Sequence, residues 1–270
     1  MTGLEIITLL SIFILAGIAA GILAGLLGVG GGIVFVPVLF QTFIFMGVDP
    51  ALQMHLAVGS SLAVIIVTAV QSARAHHAKQ SLDLDIVKLW APFIVLGVVA
   101  GSVAAIYLNA DSLKFIFGFL SVLVAVYLNL PHQKTISMPP LWLQRSVATS
   151  IGFFSSLMGI GGGTFSVAFL TLFGLTIHRA VGTSSALGFF IAVPGTIGFM
   201  LAGYGQAGLP PFSVGYVNWL AVVCLIPMTA ISTPIGARLA HKFSHKTLER
   251  AFSVFLILTA LRMFYSLLVA

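Results

Sequence analysis

Charge is what this sequence has least of. Asp, Glu, Lys and Arg together make up 7% of its 270 residues. An ordinary soluble domain is about a quarter charged, so a water-facing surface for a chain this size cannot be built from this composition. Cysteine is nearly absent as well. The single residue, Cys224, excludes an intramolecular disulfide and a cysteine-based metal cluster, and reads as a small buried apolar residue. His241 and His245 have the i,i+4 spacing of a metal pair, but no further ligand is in reach of them, so no metal is expected. No Asp, Glu, Lys or Arg falls at the centre of an apolar segment; Lys88 and Arg262 lie near segment ends. Intramembrane carboxylates mark proton relays and cation paths, so their absence argues against a cation pump or a carboxylate-coupled antiporter. It also leaves no acid–base pair for catalysis, and neither an enzyme nor a cofactor is expected. A cleavable leader is not expected either. The N-terminus carries Glu5, lacks a basic stretch and runs apolar for too long.

Hydrophobic residues fill the gap, at 59% of the chain. Apolar runs of about 18 residues or more recur throughout, and the alternation of a membrane barrel is missing. The chain therefore reads as an all-α polytopic membrane protein. Ten apolar segments lie near 4–27, 33–47, 55–73, 87–108, 113–130, 142–158, 164–177, 180–203, 214–237 and 247–269. The net charge of +6 reflects the positive-inside bias rather than nucleic-acid binding. Loops 74–88 and 238–250 are basic and are expected in the cytoplasm, whereas 203–216 carries no charge. With ten segments, all Lys and Arg except Lys114 and Arg262 then fall inside, and both termini outside.

The chain repeats itself. GVGGG at 28–32 matches GIGGG at 159–163, and HLAVGSSLA at 55–63 matches HRAVGTSSA at 178–186. Near the end of each half, GSVAAIYLNADSLKFIFGF (101–119) lies against GARLAHKFSHKTLERAFSV (236–254). Three matches in one order divide the chain into a first repeat (1–130), a linker (131–141) marked by Pro131, Pro139 and Pro140, and a second repeat (142–270). Five segments per half is an odd number, so the second repeat starts on the opposite face. That is the inverted plan of many secondary transporters, with a binding site where equivalent elements meet.

The glycine motifs are the strongest site signal. The segments beside 159–163 have about 16 and 14 residues and reach roughly 21–24 Å, short of the ~30 Å apolar core. The tip is thus expected inside the membrane, near the midplane, as a broken hairpin (8–10 spans in all, depending on how the hairpins are counted). Irregular backbone there must be buried in protein or line a wet cavity. A glycine tip leading into a helix N-terminus suits an anion. Gly28, Gly30, Gly31 and Gly32, with Gly159, Gly161, Gly162 and Gly163, are accordingly expected to contact substrate. Gly17, Gly21 and Gly25 instead have the spacing of close helix packing. Ser60, Ser61, Thr183 and Ser184 stand early in apolar segments and can serve either an anion or the helix backbone, and their occurrence in both halves beside the hairpins favours substrate contact. His55 and His178 can shuttle protons or pair with an anion, and their places near segment ends also suit solvated interface residues. Residue types alone leave open the coupling ion, H+ or Na+, and a homo-oligomer.

With GLLGVGGGIVFVPVL, SSLMGIGGGTFSVAFL, HRAVGTSSALG and TPIGARLAHKFSHKTLERAFSVFLIL in view, the chain resembles the TauE/SafE family of sulfite exporters and organosulfonate permeases over nearly its full length. The resemblance implies a plasma-membrane transporter for small sulfur-containing or carboxylated anions, and with the inverted repeat the expectation is a carrier working by alternating access in the bilayer. The rival readings are an anion channel and a membrane assembly protein whose repeat serves only packing.

Overall fold

The computed structural model describes residues 3–27, 32–129, 137–240 and 245–269. Ten helices follow one another: α1 (Gly3–Leu27), α2 (Gly32–Phe45), α3 (Pro50–Ala78), α4 (Leu84–Tyr107), α5 (Ala110–Asn129), α6 (Leu141–Met158), α7 (Gly163–Leu172), α8 (Ile177–Ala202), α9 (Trp219–Ala240) and α10 (His245–Val269). Between α8 and α9 lies a small antiparallel hairpin, β1 (Ser213–Val214) with β2 (Val217–Asn218). Among the described residues, α3, α4, α5, α8 and most of α9 and α10 are long and apolar enough to cross a bilayer. The molecule is an all-α polytopic membrane protein.

Most helices fall where the apolar runs place them, and the differences have local causes. α3 begins at Pro50 rather than near 55, because Asp49 caps it: its carboxylate accepts the Ala51 N–H at 2.8 Å and Pro50 opens the first turn. At 29 residues it is about 44 Å long, so the basic stretch Arg74–Ala78 forms its last turns rather than a loop. Asp83 caps α4 in the same way, accepting from the Asp85 and Ile86 N–H groups at 3.2 Å. The expected segment 214–237 splits, since its start is the β hairpin and α9 begins at Trp219. α2 and α7, with 14 and 10 residues, reach only about 21 and 15 Å. Neither can span the ~30 Å apolar core.

The principal packing partners are α1 with α9, α4 with α6, α3 with α8 and α5 with α10. Each pair joins a helix from before the 131–141 linker to one from after it. Small residues allow the approach. A side chain on Gly21 would meet the Thr229 backbone at 2.8 Å, and one on Gly17 would meet Met228 at the same distance. On the other side, Gly152 lies against the Ile94 carbonyl and Gly97 against that of Thr149. The packing role expected of Gly17 and Gly21 is thus what these positions perform. Trp90, Phe35, Phe43, Phe117 and Phe199 fill the interior, and the Trp90 Nε1–H donates to Gln144 Oε1 at 3.3 Å across the α4–α6 contact. Outward faces carry Leu96, Val103, Phe119, Ile197, Val223 and Ile231, apolar surface that a bilayer covers.

Candidate functional site

The second glycine motif is a tight link between two helices. α6 ends at Met158, and Gly159 takes φ 66°, closing the helix end with Ile160 N–H on Ser155 O at 3.0 Å. Gly162 takes φ 69° and heads α7, its carbonyl accepting the Ser166 N–H at 2.8 Å. Both positions need the left-handed backbone that glycine adopts without penalty. The tip is wedged between α3 and α8. A side chain on Gly161 would strike Ile65, and one on Gly188 would lie 2.9 Å from the Gly161 carbonyl.

Of the first motif, Gly28, Gly30 and Gly31 lie outside the described residues. Gly32, at the head of α2, is described and buried. A side chain on it would lie 2.9 Å from the Gly161 nitrogen and 3.3 Å from the Ile160 Cα. The two glycine motifs, far apart in sequence, therefore touch.

The hydroxyls of the paired VGSS and VGTS motifs surround this contact. All four are buried, and each has a protein partner. Ser61 donates to the Gly159 carbonyl at 2.7 Å, and Ser184 donates to the Gly163 carbonyl at 3.2 Å. One serine from each half thus holds one end of the 159–163 tip. Ser60 accepts the Asn218 N–H at 2.9 Å, and Thr183 accepts the Asp83 N–H at 3.0 Å. These two bonds are counterparts. In both, the hydroxyl before the tip-binding serine receives the N–H of a residue that caps the next long helix: Asn218 caps α9 through Ala221 N–H at 2.9 Å, as Asp83 caps α4. They differ in charge. Arg179 pairs with Asp83 at 2.6 Å, whereas Leu56 stands at the matching position and Asn218 is neutral.

The histidines are not brought to the tip. His55 lies six residues before Ser61 on α3, about 9 Å along the helix. It is 4% exposed, so it is not the solvated residue its expected place at a segment end suggested. The longer α3 puts it a full turn inside the helix, against Leu108 and Tyr216. His178 is exposed at the start of α8.

Three hydroxyls that sequence reasoning passed over complete the site. Ser155, Thr164 and Ser166 flank the motif on both sides, and their Oγ atoms are buried with no hydrogen-bond partner among the described residues. Ser155 and Ser166 converge on Gly162, whose missing Cβ would lie 3.6 and 3.5 Å from their oxygens. A buried hydroxyl left without a partner is uncommon and calls for a reason. The N–H groups of the first turn of α7, which no side chain caps, lie beside these hydroxyls. With the two motifs aligned on their glycines, the first half has Ala24, Ile33 and Phe35 at these three positions. The glycine sequence recurs in both halves and these hydroxyls do not. Neutral donors and a helix N-terminus, with no carboxylate among them, favour negative charge.

Known proteins give the same direction. The family described as sulfite exporter TauE/SafE matches residues 13–263. A protein of Haemophilus influenzae named a probable membrane transporter is 35% identical over 95% of this chain and 98% of its own length. Bacillus subtilis YunE, also named a probable membrane transporter, is 28% identical over 94% and 97%, and one from Methanocaldococcus jannaschii is 27% identical over 91% of each chain. No solved structure matches. Ten helices among the described residues, Gly32 against the 159–163 tip and a match across nearly the whole length place the chain in the TauE/SafE family of membrane transporters.

Proposed function

We propose that this membrane transporter is a secondary carrier that moves a small anion, an organosulfonate, sulfite or a related organosulfur or carboxylate anion, across the plasma membrane by alternating access. The observation that carries the proposal is the convergence of the Ser155 and Ser166 hydroxyls on Gly162, with Thr164 beside them, at the uncapped start of α7. Sulfonate oxygens accept hydrogen bonds and carry delocalised negative charge, which neutral donors and a helix N-terminus can hold without a cation. Gly161, Gly162 and Gly163 give the anion close access to backbone N–H groups, and Gly32 brings the first repeat to the same place. Ser61 and Ser184 act through the tip, fixing its carbonyls so that its N–H groups keep their aim.

Alternating access draws support from the paired contacts of the two halves. α1 on α9 answers α6 on α4, and Gly21 on Thr229 answers Gly152 on Ile94. Ser60 with Asn218 answers Thr183 with Asp83. Contacts that exchange in this way are what an inverted repeat produces, and such a pair of repeats rocks about a shared site. The basic stretches 74–88 and 238–250 argue for a cytoplasmic location of both and for external termini.

The test is a thermal-shift screen of the purified protein in detergent against methanesulfonate, taurine, sulfite, sulfate and acetate. A ligand that binds only the folded state raises the melting temperature. Stabilisation by a sulfonate or sulfite that Ser155→Ala and Ser166→Ala each reduce is the expected result. Equal stabilisation of both variants and the parent removes the site from this tip. Saturable flux of the binding anion in proteoliposomes then separates a carrier from a channel.

A further inference from the structure

His55 is a titratable side chain inside a membrane-spanning helix, and nothing above uses it. It is 4% exposed. Its Nε2 meets the Leu108 carbonyl at 3.0 Å, which fixes the proton of the neutral ring on Nε2. Its Nδ1 is buried and has no hydrogen-bond partner among the described residues. The Tyr216 ring lies tilted over the imidazole, centroid to centroid 4.6 Å. Tyr216 belongs to the β hairpin of the second half, which the Asn218 N–H pins to Ser60 further along α3. His55 therefore sits in the seam between the two halves, at the opposite end of that seam from Asp83 and Arg179.

We infer that His55 is a proton-binding site that couples proton movement to transport, the proton adding to the lone pair of Nδ1. The neutral ring leaves Nδ1 as a buried acceptor with no hydrogen-bond donor beside it among the described residues. The protonated ring keeps its Nε2–H on the Leu108 carbonyl and gains a second N–H at Nδ1. It also meets the face of Tyr216 as a cation, at a distance where cation–π attraction operates. Proton binding thus tightens the hairpin on α3, and proton release loosens it. Other titratable groups on the surrounding elements do not duplicate this. Asp49 caps α3, Asp111 holds Lys114 at 3.0 Å, and Tyr107 and Tyr204 are exposed. Burial raises the Tyr216 phenol above its ordinary value, so it stays neutral at physiological pH. The counterpart His178 is exposed and has no such enclosure.

The inference rests on the transport reading, and two measurements separate their failures. In proteoliposomes loaded with methanesulfonate, whose charge does not change between pH 5 and 8, the parent should exchange labelled anion without a gradient. It should also accumulate the anion about tenfold per pH unit if one proton accompanies each anion. His55→Gln keeps a neutral donor for the Leu108 carbonyl and cannot titrate. It should exchange but no longer accumulate. Accumulation by His55→Gln equal to the parent, or exchange in the parent that ignores the gradient, overturns the inference. An absence of exchange in the parent counts against the transport reading instead. Hydrogen exchange on the purified protein then decides the proton site without any flux. Corrected for intrinsic rates, the 213–218 segment should exchange several-fold more slowly at pH 5.5 than at pH 8 in the parent, and equally at both in His55→Gln. The same pH dependence in both proteins, or none in the parent, overturns it.

Discussion

Gly162 and Gly159 offer a matched pair of substitutions that separates ligand binding from stability. Both have nearly the same left-handed backbone, φ 69° and 66°, so alanine at either position costs about 1–2 kcal/mol in backbone strain alone. Their surroundings differ. A Cβ at Gly162 meets the tip of Ile191, a flexible side chain that can turn aside, and then occupies the space 3.5–3.6 Å from the Ser166 and Ser155 oxygens. A Cβ at Gly159 meets the backbone of α3, 2.9 Å from Val58 Cα and 3.0 Å from its carbonyl. That backbone cannot yield cheaply, and overpacking of this kind adds about 1–3 kcal/mol. With about 2–4 °C per kcal/mol for a chain of this size, Gly162→Ala should melt about 2–8 °C below the parent and Gly159→Ala further below. The anion response should rank the other way. An anion at a hundred times its dissociation constant stabilises by about 2.7 kcal/mol, or roughly 5–11 °C. Gly162→Ala should lose most of that increment, because its methyl stands where an anion oxygen would sit, whereas Gly159→Ala should retain it. The assay is thermal unfolding in detergent with and without methanesulfonate. A full ligand increment in Gly162→Ala refutes the placement of the anion.

Three further outcomes follow from the geometry. Ser61→Ala removes the 2.7 Å donor to the Gly159 carbonyl and should destabilise by about 1–3 kcal/mol, more than Ser184→Ala, whose bond is 3.2 Å; thermal unfolding of the two variants checks the order. Arg179→Leu should change stability by only about 0–1 kcal/mol, since the Arg179 side chain is 56% exposed. Asp83→Ala, which also removes the cap of α4, should lose about 1 kcal/mol more, and equal melting temperatures would contradict that division. A reporter fused after Ala270 should read as external, and a cytoplasmic reading reverses the assigned orientation.

Much of this was legible in the residues, for reasons that can be named. Helices in a bilayer must be apolar along their length and satisfy their own backbone, so ten greasy runs translate almost directly into ten helices. Where the boundaries moved, the cause was capping chemistry that hydropathy does not weigh. Asp49 followed by Pro50 is an ordinary helix start, yet the charged residue reads as loop. The 213–218 hairpin is too short to show an alternating pattern, so Val214 and Val217 joined the apolar run of α9. The 159–163 tip was legible because its glycine sequence recurs at 28–32. Ser155, Thr164 and Ser166 were not, because a search for what the halves share passes over the positions where they differ. His55 was visible as a residue but not as a buried one, since its burial depends on Tyr216, which lies far away in sequence.

The pairing of α1 with α9 and of α4 with α6 has a consequence for how the molecule is made. The linker at 131–141 divides the sequence but not the interior, because the main contacts run from one side of it to the other. While a ribosome is still on the first five helices, Gly17 and Gly21 have no α9 to meet and Trp90 has no Gln144 to receive its N–H. α1 then waits for almost the entire remainder of the chain. Contacts this distant in sequence order late, so the bundle closes only near the end of synthesis. Neither half is a finished object by itself. Two fragments split within the linker and expressed together should assemble far better than either accumulates alone.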